Sequence, residues 1–353
     1  METFEPRGSA ARKALALLLF FALLLLGVAH AVRVLSFSDD VHSKAVYRQF
    51  YALPKNCLDV AWIGPSSVQE EVNPAVMYAE TGIAVYSFGV PQAPFDAMEY
   101  LIRECEKTQN PSLYLVDIRS LAYNTLSDAM VRRATDNMRL SVNRINAIRQ
   151  LMDDLENSPT AGGKIDPRIT HYVSFVKYHG RWTDLTREDF ADDPACYLGF
   201  RIDTKIKAQD REAVQARFDA AELPLPEENR VFLLRFLDFC DSLSTPVVFT
   251  CTLNCLDESF FGCYNTAIRL IRERGYEVWD LNLEADAMGL DYATDFKDDI
   301  HTNVYGAEKL SAHAARVLSA RLACPDHRGD ARYAIFEKTL ERYREALEKP
   351  PEE

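Results

Sequence analysis

The stretch Leu58-Asp59-Val60-Ala61-Trp62-Ile63-Gly64-Pro65-Ser66-Ser67 decides how the chain is read. A short apolar run ended by Gly-Pro is the pattern of a strand covered on both faces, as in a parallel sheet. The same pattern returns at Ile83–Gly89 (IAVYSFG), Ser112–Ile118 (SLYLVDI), Pro246–Thr252 (PVVFTCT) and Tyr276–Asn282 (YEVWDLN). Helical spacing lies between and after these runs: Pro94–Lys107 carries Phe95, Met98, Leu101, Ile102 and Cys105 on one face, and further helices are predicted over Glu228–Leu243, Ser259–Arg274 and Gly306–Leu322. Strands alternating with helices predict an α/β fold, a doubly wound, flavodoxin-like parallel sheet of five strands. The alternation breaks over 122–228, where charge-rich stretches such as Met130–Glu156 and a glycine turn at Ala161–Lys164 read as a helical insertion with a largely solvated surface. A parallel crossover needs only about a dozen residues, far fewer than this segment supplies. No internal repeat is present.

Upstream, Ala14–Ala29 (ALALLLFFALLLLGVA) is free of charge and follows Arg7, Arg12 and Lys13. Extended to 35 it approaches the roughly 20 residues that cross a bilayer, and the basic flank predicts a cytoplasmic N-terminus. A cleaved signal peptide ending at Ala29-His30-Ala31 is the alternative. The expected organisation is a cytoplasmic N-terminus over 1–13, a transmembrane signal anchor over 14–35 and a connector over 36–57 with a helix from Val41 to Leu53. The catalytic domain then covers 58–324, followed by a C-terminal helix and tail over 325–353.

The 353 residues are 48% hydrophobic and 26% charged, enough for a full core. A net charge of -13 excludes a nucleic-acid partner, because that affinity comes from clustered Lys and Arg releasing counterions. The eight cysteines form no dense framework. Cys251, Cys255 and Cys263 fit either a local disulfide or buried thiols, and no ligand spacing for a metal accompanies them.

In open α/β sheets the ligand lies beyond the carboxyl ends of the strands, which points to the residue after the first core strand, Ser66, as a nucleophile. Far downstream, Asp298-Asp299-Ile300-His301-Thr302-Asn303-Val304-Tyr305-Gly306-Ala307 places an Asp three residues before a His. The carboxylate of Asp298 can then hold one imidazole nitrogen of His301 while the other takes a proton from serine. Asp295 and Asp299 compete for the carboxylate role.

Taken together, G-x-S-S after the first strand, a Gly ending the second, and D-x-x-H-x-N-x-x-G-A near the C-terminus resemble the SGNH/GDSL hydrolase superfamily. The resemblance implies an oxyanion hole made by the Ser66 N–H, the Gly89 N–H and an Asn side chain. That Asn has no counterpart after Ile118, where the chain reads Arg119-Ser120-Leu121-Ala122-Tyr123-Asn124, so Arg119 or Asn124 is expected to substitute. The departure is similar to the membrane-anchored branch that includes D-alanine transfer and alginate-type O-acetyltransfer proteins. Within the insertion, Tyr178-His179-Gly180-Arg181-Trp182 looks like an H-x-R-W segment of that branch, and His179, Arg181 and Trp182 become expected substrate-binding residues.

The implied function is a Ser-His-Asp esterase or O-acyltransferase, without metal or other cofactor, acting outside the cytoplasm on cell-envelope polysaccharide or another acylated glycan. A membrane acyltransferase is a further expected partner. The competing reading is a catalytically weak glycan-binding or assembly subunit of a polysaccharide modification or export complex. A lipid esterase would require an apolar access groove, for which the polar insertion argues little.

Overall fold

The computed structural model describes residues 7–35, 41–123, 125–190 and 196–348. In chain order they form α1 (Arg7–Leu35), α2 (Val41–Ala52), β1 (Val60–Gly64), α3 (Ser66–Glu71), α4 (Pro74–Thr81), β2 (Val85–Gly89), α5 (Met98–Cys105) and β3 (Leu113–Asp117). The chain then leaves the sheet through β4 (Leu126–Ser127), α6 (Asp128–Thr135), α7 (Val142–Asn157), β5 (Ala161–Gly162), α8 (Ile169–Tyr172), α9 (Ser174–Tyr178), α10 (Arg187–Phe190), β6 (Cys196–Tyr197), β7 (Phe200–Arg201) and α11 (Arg211–Gln215). It returns with α12 (Glu227–Cys240), β8 (Val247–Cys251), α13 (Glu258–Glu273), β9 (Glu277–Asp280), α14 (Ala285–Met288), α15 (Val304–Leu322) and α16 (Ala334–Glu348).

The main sheet has five parallel strands in the order β2-β1-β3-β8-β9. β1 lies near its centre and is buried along its whole length. Period-two alternation divides its side chains between two cores: Ala61 and Ile63 pack with residues of α2, α5 and α12, while Val60 and Trp62 pack with residues of α3 and α15. A strand that must satisfy both cores has no polar position to spare, which is why it reads as a continuous apolar run. Trp62 keeps its indole N–H satisfied by donating to Thr250 Oγ1 at 3.1 Å across the sheet.

Local signals set the helix ends. Asn73 caps α4 by accepting the N–H groups of Ala75 and Val76, with Pro74 at the first helical position and Gly82 left-handed beyond the last. Asn303 caps α15 in the same way through Tyr305 and Gly306. On the edge of the sheet, the β6-β7 hairpin lies against β2, where Ser87 N donates to Leu198 O at 3.1 Å, so that edge is covered.

Gly89 is where α3 and β2 touch most closely. A Cβ there would sit 2.2 Å from Gln69 N and 2.8 Å from Gln69 Cα, backbone atoms that cannot swing aside. Gly89→Ala is therefore expected to destabilise the protein by about 1–3 kcal/mol. This is measurable as a lowered urea midpoint of the detergent-solubilised chain, and an unchanged midpoint would show that α3 can shift without cost.

In α1, Ala10–Val32 has a mean hydropathy of 2.7, no buried residue, and a length of 23 residues, enough to cross a bilayer. α2 is more than a connector: Ala45, Val46, Tyr47 and Phe50 are buried, and Phe50 stacks on Phe88 of β2 with ring centroids 4.8 Å apart. None of the eight cysteines is joined in a disulfide among the described residues.

The excursion between β3 and β8 is less solvated than its composition suggests. Arg132, Asp136 and His171 are buried, with Arg132 donating to Asp128 at 2.7 Å and His171 Nε2 2.8 Å from the same carboxylate. Burial works against the charge on Asp128, yet the hydrogen bonds from His171 and the Asp166 N–H, with the Arg132 charge, hold its carboxyl well below the usual range.

Candidate active site

Ser66 is the first residue of α3, at the carboxyl end of β1. The Gly64-Pro65 turn puts it there: a Cβ on Gly64 would stand 2.4 Å from Val68 Cγ2 and 2.9 Å from Asp117 Cβ, so only glycine lets α3 start this close to the sheet. In the first turn of a helix the N–H groups have no intrahelical acceptor, which leaves the Ser66 amide available to a ligand oxygen.

Asp117 secures the floor beneath. It is fully buried at the end of β3 and accepts from Ser67 Oγ at 2.8 Å, Thr252 Oγ1 at 2.7 Å, Thr252 N at 3.0 Å and Arg119 N at 3.1 Å. One carboxylate thus ties together the ends of β1, β3 and β8.

The loop before α15 brings in the partners. Ser66 Oγ lies 2.8 Å from His301 Nε2, joining residues 235 positions apart. His301 Nδ1 lies 3.2 Å from each oxygen of Asp298. Asp298 Oδ1 also accepts the N–H groups of Ile300 and His301, both at 2.8 Å. Burial alone would raise this carboxyl, but His301 and the two backbone donors outweigh it and hold Asp298 well below the usual range. Asp298 is therefore an ionised acceptor, and the hydrogen on Nδ1 leaves Nε2 free to accept from serine.

The other acids near this loop are committed elsewhere. Asp295 accepts from Lys309 Nζ at 2.6 Å and Asp291 N at 2.7 Å, and Asp299 accepts from Lys207 at 2.7 Å. Glu70 comes within 3.8 Å of His301 Nδ1 and is paired with Lys297. At that distance it adds negative potential to the imidazole without competing for its proton. Gly306 lets α15 begin beside the loop, since a Cβ there would approach Asp295 O to 2.4 Å.

A cavity of 480 Å³ opens on Ser66 and His301. Its walls include Phe95, Leu126 and Met130, with Ser120 and Tyr123 from the turn after β3. Ser120 Oγ is buried without a hydrogen-bond partner among the described residues. A buried hydroxyl left unpaired beside a cavity is a donor waiting for an acceptor. Sequence reasoning passed over Ser120 because nothing local distinguishes it from any turn serine.

The other expected site residues take different positions. Arg119 reaches the cavity wall, but its guanidinium is buried and committed: Nη2 donates to Glu71 at 2.8 Å, Thr252 Oγ1 at 2.9 Å and Leu253 O at 2.6 Å, and Nη1 donates to Ile300 O. Its Nε–H has no partner among the described residues. Gly89 packs against α3 and is not part of the cavity wall, whereas Gln92, three residues on and held at φ 55°, is. Asn124 lies outside the described residues. His179, Arg181 and Trp182 stand in a 3₁₀ turn beside the end of α1, where Arg181 donates to Leu35 O at 2.7 Å and Asp189 at 2.9 Å, and Trp182 is 70% exposed. None of the three lines the cavity at Ser66.

Comparison with protein-family models, with curated proteins and with solved structures found no match. The chemistry of the site therefore rests on its own geometry.

Proposed function

We propose that the chain is a membrane-anchored, extracytoplasmic serine ester hydrolase or O-acyltransferase of the SGNH type, acting on cell-envelope polysaccharide or a related acylated glycan. The observation that carries the reading is the continuous hydrogen-bonded path from Ser66 through His301 to Asp298 at the mouth of a cavity. On this reading the parallel sheet, with cores on both faces, is the doubly wound scaffold of that superfamily, and α1 is its signal anchor.

Ser66 Oγ attacks the ester carbonyl while its proton passes to His301 Nε2, forming the new C–O bond and a tetrahedral oxyanion. Asp298 stabilises the resulting imidazolium. Collapse breaks the bond to the alcohol, which leaves with the proton from His301. Water or a sugar hydroxyl then attacks the acyl-enzyme by the same route in reverse; in the transferase case a membrane acyltransferase supplies the acyl donor. Phe95, Leu126 and Met130 offer the acyl group an apolar wall. No step calls for a metal or redox cofactor.

For the oxyanion, the reading assigns the Ser66 N–H and the unpaired Ser120 hydroxyl, with Ser120 in the place the superfamily gives to asparagine. Turnover of p-nitrophenyl acetate, butyrate and octanoate and of O-acetylated polysaccharide by the full chain tests the proposal. Ser120→Ala is expected to lower kcat by about 10²-fold with KM little changed, the signature of a donor used mainly in the transition state. Glycan binding without Ser66-dependent turnover would favour the binding-subunit reading instead.

A further inference from the structure

A second cavity, of 890 Å³, shares no lining residue with the one at Ser66. It lies where the apolar helix meets the folded domain: Ala29 and Val32, near the end of the Ala10–Val32 segment, form part of its wall. The rest comes from α2, the turn between α6 and α7, and the segment around α8 and α9.

Its charge is opposite to that of the whole chain. Four cationic side chains, Lys44, Arg48, Arg139 and Arg144, line it together with one carboxylate among the described residues, Asp136, in a protein of net charge -13. Asp136 is already engaged, accepting from Tyr178 Oη at 2.7 Å and lying 3.6 Å from Arg132. Lys44 and Arg48 are one turn apart on α2 and so share a face. Arg139 stands 4.1 Å above the ring of Tyr51 and has no ion pair among the described residues. Arg144 Nη2 lies 3.9 Å from Asp136 and donates to Ser174 Oγ at 2.9 Å and His171 O at 3.2 Å, which leaves its buried Nε–H without a partner among the described residues. At the mouth, Leu140 is 77% exposed, Val173 45% and Phe175 39%. Apolar side chains facing outward around a cationic hollow, next to a membrane-spanning helix, match the two ends of a lipid.

We infer that this cavity binds the phosphate headgroup of an anionic phospholipid from the leaflet on the folded domain's side, with the acyl chains lying along α1. The inference rests on α1 spanning the membrane and is independent of the chemistry at Ser66. Guanidinium groups bind phosphate oxygens in pairs, and basic pockets at the membrane surface select anionic lipids. A choline headgroup would bring a fifth cation into a site that already holds four, so a zwitterionic lipid is disfavoured.

Native mass spectrometry of the full chain released from detergent micelles tests this, with dioctanoyl phosphatidylglycerol, dioctanoyl phosphatidylcholine and inorganic phosphate as probes. One phosphatidylglycerol per chain is expected, bound more tightly than either other probe. Arg139→Gln should weaken it about fivefold, the usual worth of one surface cation toward an anionic headgroup. Arg139 is exposed, so this variant keeps the fold, and its fluorophosphonate labelling at Ser66 should match the parent. Arg144→Gln should weaken binding as well. Equal binding of the two lipids, phosphate binding as tight as the lipid's, or an Arg139→Gln affinity equal to the parent's would each overturn the inference.

Discussion

Ser66→Ala is expected to abolish covalent labelling by a fluorophosphonate probe and to lower ester turnover by about 10⁴-fold or more, since the members of a catalytic triad act as a unit. The size of the effect follows from what the serine provides. On the proposed mechanism its oxygen forms the only covalent bond to the substrate, and His301, 2.8 Å away, has no other proton to take at that point of the reaction. The variant should fold normally: the side chain that ties this turn to the sheet is Ser67, through Asp117, and Ser66 is not itself one of the buried residues. His301→Ala should act nearly as strongly on turnover, while Asp298→Asn should leave the fold intact and slow the reaction by removing the acceptor that selects the productive tautomer. Labelling that persists in Ser66→Ala would rule out this serine as the nucleophile, and the whole proposed path with it.

Arg119→Met is expected to cost about 3–5 kcal/mol of stability, the range for breaking one side of a buried ion pair. The guanidinium joins Glu71 at the end of α3, Thr252 and Leu253 after β8, and Ile300 next to His301, all in one buried node. Burial pushes the Glu71 carboxyl up, against the pull of Arg119, so removing the arginine leaves an acid in the core with nothing to offset its desolvation. Arg119→Lys should recover part of the loss, because an ammonium keeps the charge but cannot reach several acceptors at once. Urea denaturation of the detergent-solubilised chain, with labelling at Ser66 measured alongside, separates two roles for this residue. A clamp loses stability first, and labelling falls with it. Full stability with slowed turnover would instead make Arg119 a donor to the oxyanion, with Ser120 in a lesser role.

Much of the scaffold is legible along the chain because its signals are local. β1, β2, β3, β8 and β9 coincide with the five apolar runs to within a few residues, and the Gly64 turn is short-range chemistry. Asp298 and His301 could be paired from their spacing alone, since the residues that satisfy Asp298 are His301 and its own neighbour Ile300. Other features were out of reach for a physical reason. Arg119 has partners 48, 133, 134 and 181 positions away, and no pattern in its own neighbourhood announces them. Arg132 and His171 occur in a charge-rich stretch that reads as solvated, yet they are buried because Asp128 and Asp136 neutralise Arg132 and Asp128 takes the His171 ring nitrogen as a hydrogen-bond partner inside the fold. Trp182 sits on a turn of the kind that stacks on sugars, but the turn packs beside the end of α1.

By itself, then, the sequence determined the strand set, the apolar helix and the spacing that lets Asp298 reach His301, all of which depend on periodicity or on contacts within a few residues. Only the tertiary structure decided that Ser66 and His301 share a hydrogen bond, that the Ser120 hydroxyl is left without a partner beside the cavity while most of the Arg119 guanidinium is committed elsewhere, and that a cationic hollow opens beside α1. Those depend on which side chains the packing of the sheet brings face to face. Burial then sets their charge and bonding, and neither can be read before the chain has folded back on itself.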